Sequence, residues 1–137
     1  MISSGLIDIQ KALTALDHLS EGLLNHFEFV NNGYSVLLAF GVFSRPASGP
    51  YADVSEMWIC LDAVMRLRFE GALTNTMVRA PDRIDAGLTE VALVTVDPVD
   101  GAVVLRCQWE GAREVEIHSA RVWVSDSYNE LKEVVQL

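Results

Sequence analysis

From Val103 to Glu110 the side chains alternate. Val103, Leu105, Cys107 and Trp109 fall on one side, and Val104, Arg106, Gln108 and Glu110 on the other. A pleated strand sends successive side chains to opposite faces, and a strand apolar on one face has to bury that face. Gly111, Ala112 and Arg113 break the pattern, which resumes with Val115 and Ile117 opposed to Glu114, Glu116 and His118, then runs from Ala120 to Val124 with Trp123. Two such strands make a hairpin, and a hairpin needs further strands or a helix to be stable in water. This stretch therefore commits the chain to an antiparallel sheet with one covered face.

The rest of the chain supplies the cover and the neighbours. Leu6, Ile9, Leu13, Leu16 and Leu23 recur at three- and four-residue steps, with Leu19 and Leu24 widening the stripe, which predicts an amphipathic helix over Ser4–Asn25. Ser3 or Ser4 is placed to cap it, Asp8 suits its positive dipole end, and Gly22 reads as a weak point near its end. His26–Val30 alternates, and Asn31-Asn32-Gly33 is a turn of residues that tolerate positive φ. Tyr34–Phe43 is apolar on both faces, which predicts a central strand covered on both sides. Val54–Leu61, Ala63–Glu70 and Leu88–Val96 read as further strands. Thr74–Gly87 reads as a polar connection, and Asp97–Gly101 as a turn. Val64–Ala72 and Val104–Ala112 resemble one another, each ending in aromatic-Glu-Gly-Ala, as equivalent strands of one sheet would. Ser127 and Glu130 have capping-box spacing before a short helix, Tyr128–Val135.

The expected architecture is α+β: an N-terminal amphipathic helix packed on an antiparallel, curved or two-layered sheet of about six to eight strands, with a short C-terminal helix. Trp58, Trp109 and Leu13 are expected to be largely buried. At 137 residues the chain suits one domain, 1–137, able to bury a core without disulfides or metals. Its mean hydropathy is +0.24, yet no apolar run approaches the roughly 18 residues that span a bilayer. Met-Ile-Ser-Ser-Gly lacks the basic start and apolar core of a signal peptide, so a cytoplasmic location is expected. The two cysteines, Cys60 and Cys107, sit in strand patterns and read as buried free thiols.

Ten basic against nineteen acidic residues give a net charge of −9. That field disfavours nucleic acid and anionic membrane and favours a basic partner. No catalytic constellation is visible. The three histidines share no metal-ligand spacing, and there is no Gly-rich phosphate loop, nucleophile elbow, His-Glu-x-x-His or Cys-x-x-Cys. No cofactor, metal or catalytic residue is assigned, and the chain reads as a non-enzyme. What remains is a candidate contact surface: Glu110, Glu114 and Glu116 about one hairpin turn, with His118 beside them. Like charges so close cost stability, which a cationic partner would relieve. The loop Ser44–Asp53 offers a second surface through Arg45, Tyr51 and Asp53.

The stretch Met65-Arg-Leu-Arg-Phe-Glu-Gly71 and the acidic hairpin Val103–Val124, in a small acidic helix-plus-sheet chain, resemble the immunity proteins of bacterial polymorphic-toxin systems. The resemblance implies a domain that binds a cognate basic toxin and occludes its active site without turnover, through the acidic strand face and the Ser44–Asp53 loop. Two other readings stand beside it. One is a small apolar ligand held among Phe40, Trp58 and Trp109. The other is a homodimer or larger homo-oligomeric subunit using Tyr34–Phe43 or Val54–Leu61 as its interface.

Overall fold

Seven strands form one antiparallel sheet in the computed structural model, which describes residues 2–44, 53–71, 91–109 and 113–135 and only the backbone at 43, 44 and 53–55. The strand order is β2 (Leu23–Val30), β3 (Ser35–Ser44), β4 (Asp53–Glu70), β7 (Glu114–Ser125), β6 (Ala102–Trp109), β5 (Val91–Val99), with β1 (Ile2–Ser3) paired to β7. Helix α1 (Leu6–Ala15) precedes β2, and helix α2 (Tyr128–Val135) ends the described chain. The two stretches 54–61 and 63–70 are thus halves of a single strand. The two similar stretches, in β4 and β6, flank β7 from either side, slipped so that Leu67 and Leu105 both oppose Ile117.

The sheet folds over on itself. Phe27, Leu38 and Ile59 are register partners across β2, β3 and β4. Phe69 lies ten residues beyond Ile59, roughly 33 Å of extended strand, yet its ring centre is 5.3 Å from that of Phe27. The bend falls at Ala63, whose φ is 56°, beside a register shift between Val64 and Arg66. One layer therefore holds β2, β3 and the first half of β4. The second holds the rest of β4, the start of β7, β6 and β5. Phe40, Ile59, Leu61, Leu105, Cys107 and Ile117 fill the space between, with Ile9 and Leu13 of α1. Two hydrogen bonds bring the end strands together, Glu21 N to Val91 O at 2.8 Å and Val91 N to Gly22 O at 2.7 Å. Helix α1 lies along β5, where Gln10 Nε2 donates to Val96 O at 3.0 Å.

Strand β3 has a strand on either side, as its apolarity predicts, and on its second face Leu37 meets α2, which lies over β4 and β7. Leu131 packs there against Leu37 and Cys60, with Trp58 and Trp123 at the margin. Residues 35–42 of β3 are buried, while Glu56 in the first half of β4 and Tyr34 just before β3 are exposed. Leu13, Trp109 and Trp58 are all largely buried as expected, Trp58 on that outer face, against Tyr128. The cap of α2 forms as its spacing predicts, Glu130 N donating to Ser127 Oγ at 3.4 Å.

Helix α1 is far shorter than the stripe predicts. Asp17, His18, Leu19 and Glu21 all have positive φ, and Leu23 and Leu24 belong to β2. Leucines at helical spacing fit a strand equally well once tertiary contacts claim them, and Leu24 is core. Gly22 is a point of close approach, since a Cβ there would lie 2.7 Å from Gly41 O and 2.9 Å from Leu19 O. The helix begins on Gly5 with no side-chain cap, Ser3 being drawn into β1. The strand read as Leu88–Val96 is Val91–Val99, residues 88–90 lying outside the described residues. So do the Thr74–Gly87 connection and most of the Ser44–Asp53 loop.

Candidate functional site

On the outer face of the second layer the period of two sets Arg66, Arg68 and Glu70 of β4 beside His118, Glu116 and Glu114 of β7. Val104, Arg106 and Gln108 of β6 lie on the other side of β7. The middle row is Arg68, Glu116 and Arg106, a carboxylate flanked across both strands by guanidinium groups. Arg68 Nη2 donates to Glu116 Oε2 at 3.0 Å and Arg106 Nε donates to the same oxygen at 3.1 Å. His118 Nε2 lies 2.7 Å from Oε1. Glu116 is consequently only 8% exposed, covered by charged side chains and not by apolar core. The hydrogen bonds from His118 and Arg106, reinforced by the charge of Arg68, hold its carboxyl at a pKa of about 2. Glu114 joins the same network: Gln108 Nε2 donates to Oε1 at 3.4 Å, and Arg68 Nη2 stands 3.8 Å from Oε2.

This arrangement differs from an exposed acidic patch. Glu114, Glu116 and His118 do share one face, but Arg68 and Arg106 neutralise it. A carboxylate with both oxygens so engaged is a poor proton acceptor near neutral pH, so Glu116 does not suit general-base work. Glu110, Arg45 and Tyr51 lie outside the described residues, as does the side chain of Asp53, whose backbone begins β4. The arginines were legible as outward positions on alternating strands. Their convergence on Glu116 was not, because it depends on register between segments distant in sequence.

Exposed charge of one sign collects elsewhere. Asp8, Asp17 and Glu21 on and after α1, and Asp97 and Asp100 on and after β5, are all exposed. Lys11 is the only Lys or Arg in residues 1–44 and 91–101. Because α1 lies along β5, these carboxylates border one edge of the molecule. Gln10 Nε2 reaches Asp97 Oδ1 at 3.4 Å across it. A shallow groove of about 210 Å³ runs there, lined in part by Thr14, His18 and Thr95.

Phe40, Trp58 and Trp109 enclose no common space. Phe40 and Trp109 point between the layers and Trp58 points outward beneath α2. Among the described residues no three His, Cys, Asp or Glu side chains are grouped to hold a metal ion, and no helix is long and apolar enough to cross a membrane. Both cysteines are free and buried.

No protein-family model matches the chain, and no curated protein matches it. Its fold is similar to that in a crystal structure of an uncharacterized protein from Neisseria gonorrhoeae. The TM-score is 0.51 at 12% identity, over 91% of this chain and 97% of that one. That likeness concerns the fold alone.

Proposed function

We propose that the protein is a non-catalytic binding domain that occludes a basic protein partner, as an immunity protein occludes its toxin. The observation that carries this reading is the separation of charge. The sheet face around Glu116 is internally neutralised, while along the α1–β5 edge Lys11 is the one Lys or Arg among the described residues 2–44 and 91–101. An acidic edge raises the encounter rate with a cationic surface, and it does so without any reacting group. The docking surface is accordingly the α1–β5 edge, and Glu114 and Glu116 stabilise the sheet behind it. Buried free thiols suit the reducing cytoplasm, where such a partner would be intercepted.

The test is co-purification of the partner from the source cell, followed by association kinetics against ionic strength. Asp17→Lys combined with Asp97→Lys is expected to slow association about tenfold at low salt and to flatten the salt dependence. Gln108→Ala, on the neutralised face, is expected to leave both unchanged. If the Asp17/Asp97 variant binds at the wild-type rate with the wild-type salt slope, the acidic edge is not the docking surface.

A further inference from the structure

The groove between α1 and β5 owes its hydrogen-bonding character to bonds already made along it. Its rim is open, since Thr14 and Asp97 are both exposed. Gln10 Nε2 donates to Val96 O at 3.0 Å and to Asp97 Oδ1 at 3.4 Å, which spends both protons of the carboxamide. Thr14 Oγ1 donates its proton to Gln10 O at 2.9 Å. These donors are thus committed inside the protein. What they leave are acceptors: Gln10 Oε1, the lone pairs of Thr14 Oγ1 and the Asp97 carboxylate. His18 also lines the groove, and its Nδ1 is buried with no hydrogen-bond partner among the described residues. A buried ring nitrogen left unpaired costs stability until a partner reaches it. With the ring proton on Nε2, that Nδ1 is one more acceptor. Thr14 stands in the last turn of α1, where the backbone dipole presents its negative end and no Lys or Arg is placed against it.

Acceptors, a carboxylate and the negative end of a dipole together select a cation rich in N–H groups. A guanidinium fits this set better than an ammonium, because its donors lie in a fixed plane and reach several separated acceptors at once. At about 210 Å³ the groove is smaller than the roughly 300 Å³ from which pockets for drug-sized ligands begin, which suits one side chain of a larger partner. We infer that the α1–β5 groove seats an arginine side chain of the basic partner, Asp97 pairing with the guanidinium and Gln10, Thr14 and His18 supplying acceptors around it. This rests on the reading of the α1–β5 edge as the docking surface, and it names the anchor of that surface. The carboxylates of Asp8, Asp17, Glu21 and Asp100 speed the encounter. The groove governs how long the partner stays.

The probe is N-acetyl-arginine amide, titrated into the full chain while backbone amide and imidazole NMR signals are followed. N-acetyl-citrulline amide, its neutral counterpart, and N-acetyl-lysine amide serve as comparisons. The arginine probe is expected to bind with a Kd of about 1–10 mM, shifting Thr14, His18, Thr95 and Asp97 together. The lysine probe is expected to bind about threefold more weakly, and the citrulline probe about tenfold or more. Thr14→Val removes an acceptor without altering charge and is expected to weaken the arginine probe about threefold. Asp97→Asn is expected to weaken it about fivefold. No shift at tens of millimolar probe overturns the inference. So do shifts spread equally to Asp8 and Asp100, which mark general attraction to the acidic edge, and equal binding of the arginine probe and either comparison. Wild type alone decides these outcomes, so poor folding of a variant leaves the inference open to refutation. A failed probe leaves the acidic edge standing as the docking surface wherever Asp17→Lys combined with Asp97→Lys still slows association. A wild-type rate and salt slope for that double variant remove the docking surface, and the partner's arginine with it, even where the probe binds.

Discussion

Replacing Glu116 by Gln keeps the shape of the side chain and removes the charge that Arg68 and Arg106 share. A carboxyl moved from 4.5 to about 2 corresponds to about 3 kcal/mol of preference for the ionised form in the folded state. That is an upper figure. Both guanidinium groups are more than two-fifths exposed and can turn to water once the carboxylate is gone. The expected loss at pH 7 is therefore about 1–3 kcal/mol, above a surface pair and below a fully buried one. In a domain of this size that lowers Tm by roughly 3–10 °C. The pH dependence is the sharper test. Because the folded pKa is depressed, the stabilisation is fully present above the unfolded value near 4.5. It is lost as pH falls through the folded value near 2. Glu116→Gln does not titrate at that position, so urea unfolding of the two proteins should show a gap constant from pH 7 to about 5 and closing toward pH 2. Two stability curves that stay parallel to the lowest pH would refute the assignment of Glu116 as the ionised centre of this network.

Gly22→Ala is expected to destabilise by about 1–3 kcal/mol in urea unfolding, because its Cβ meets Gly41 O. A stabilised variant, as helix propensity alone would suggest, would contradict the close approach. Leu131→Ala removes the one fully buried side chain of α2, and should cost about 2–4 kcal/mol while altering tryptophan fluorescence through Trp58 and Trp123. An unchanged unfolding midpoint would show that α2 is not docked. Burial, with the Asp62 charge adding to it, pushes the Cys60 thiol up to about 11, and burial raises Cys107 further still. A thiol reagent at pH 8 should therefore label both slowly in native buffer and promptly in urea. Prompt native labelling would place a thiol at the surface.

The local rules in this sequence reach as far as a strand and its two faces. The alternation from Val103 to Val124 assigned β6 and β7 and their inward residues, the Asn31-Asn32-Gly33 turn placed the β2–β3 hairpin, and Ser127 with Glu130 placed the start of α2. Each depends on dihedral preferences or side-chain contacts within a few residues, which is information a sequence carries directly. The end of α1 was beyond those rules, because a leucine spacing compatible with a helix was overruled by the core place of Leu24 and the close contact at Gly22. So was the fate of the acidic hairpin. Glu116 is 48 residues from Arg68 and 10 from Arg106, and only the register of three strands brings them together. The large acidic surplus of the chain is written in its amino acids and needs no fold to exist. Which carboxylates are matched by arginine, and which border the α1–β5 edge, follows from the folded arrangement. Charge is a property of composition, but its cancellation requires groups a few ångströms apart, and that proximity is created by strand pairing over long sequence separations.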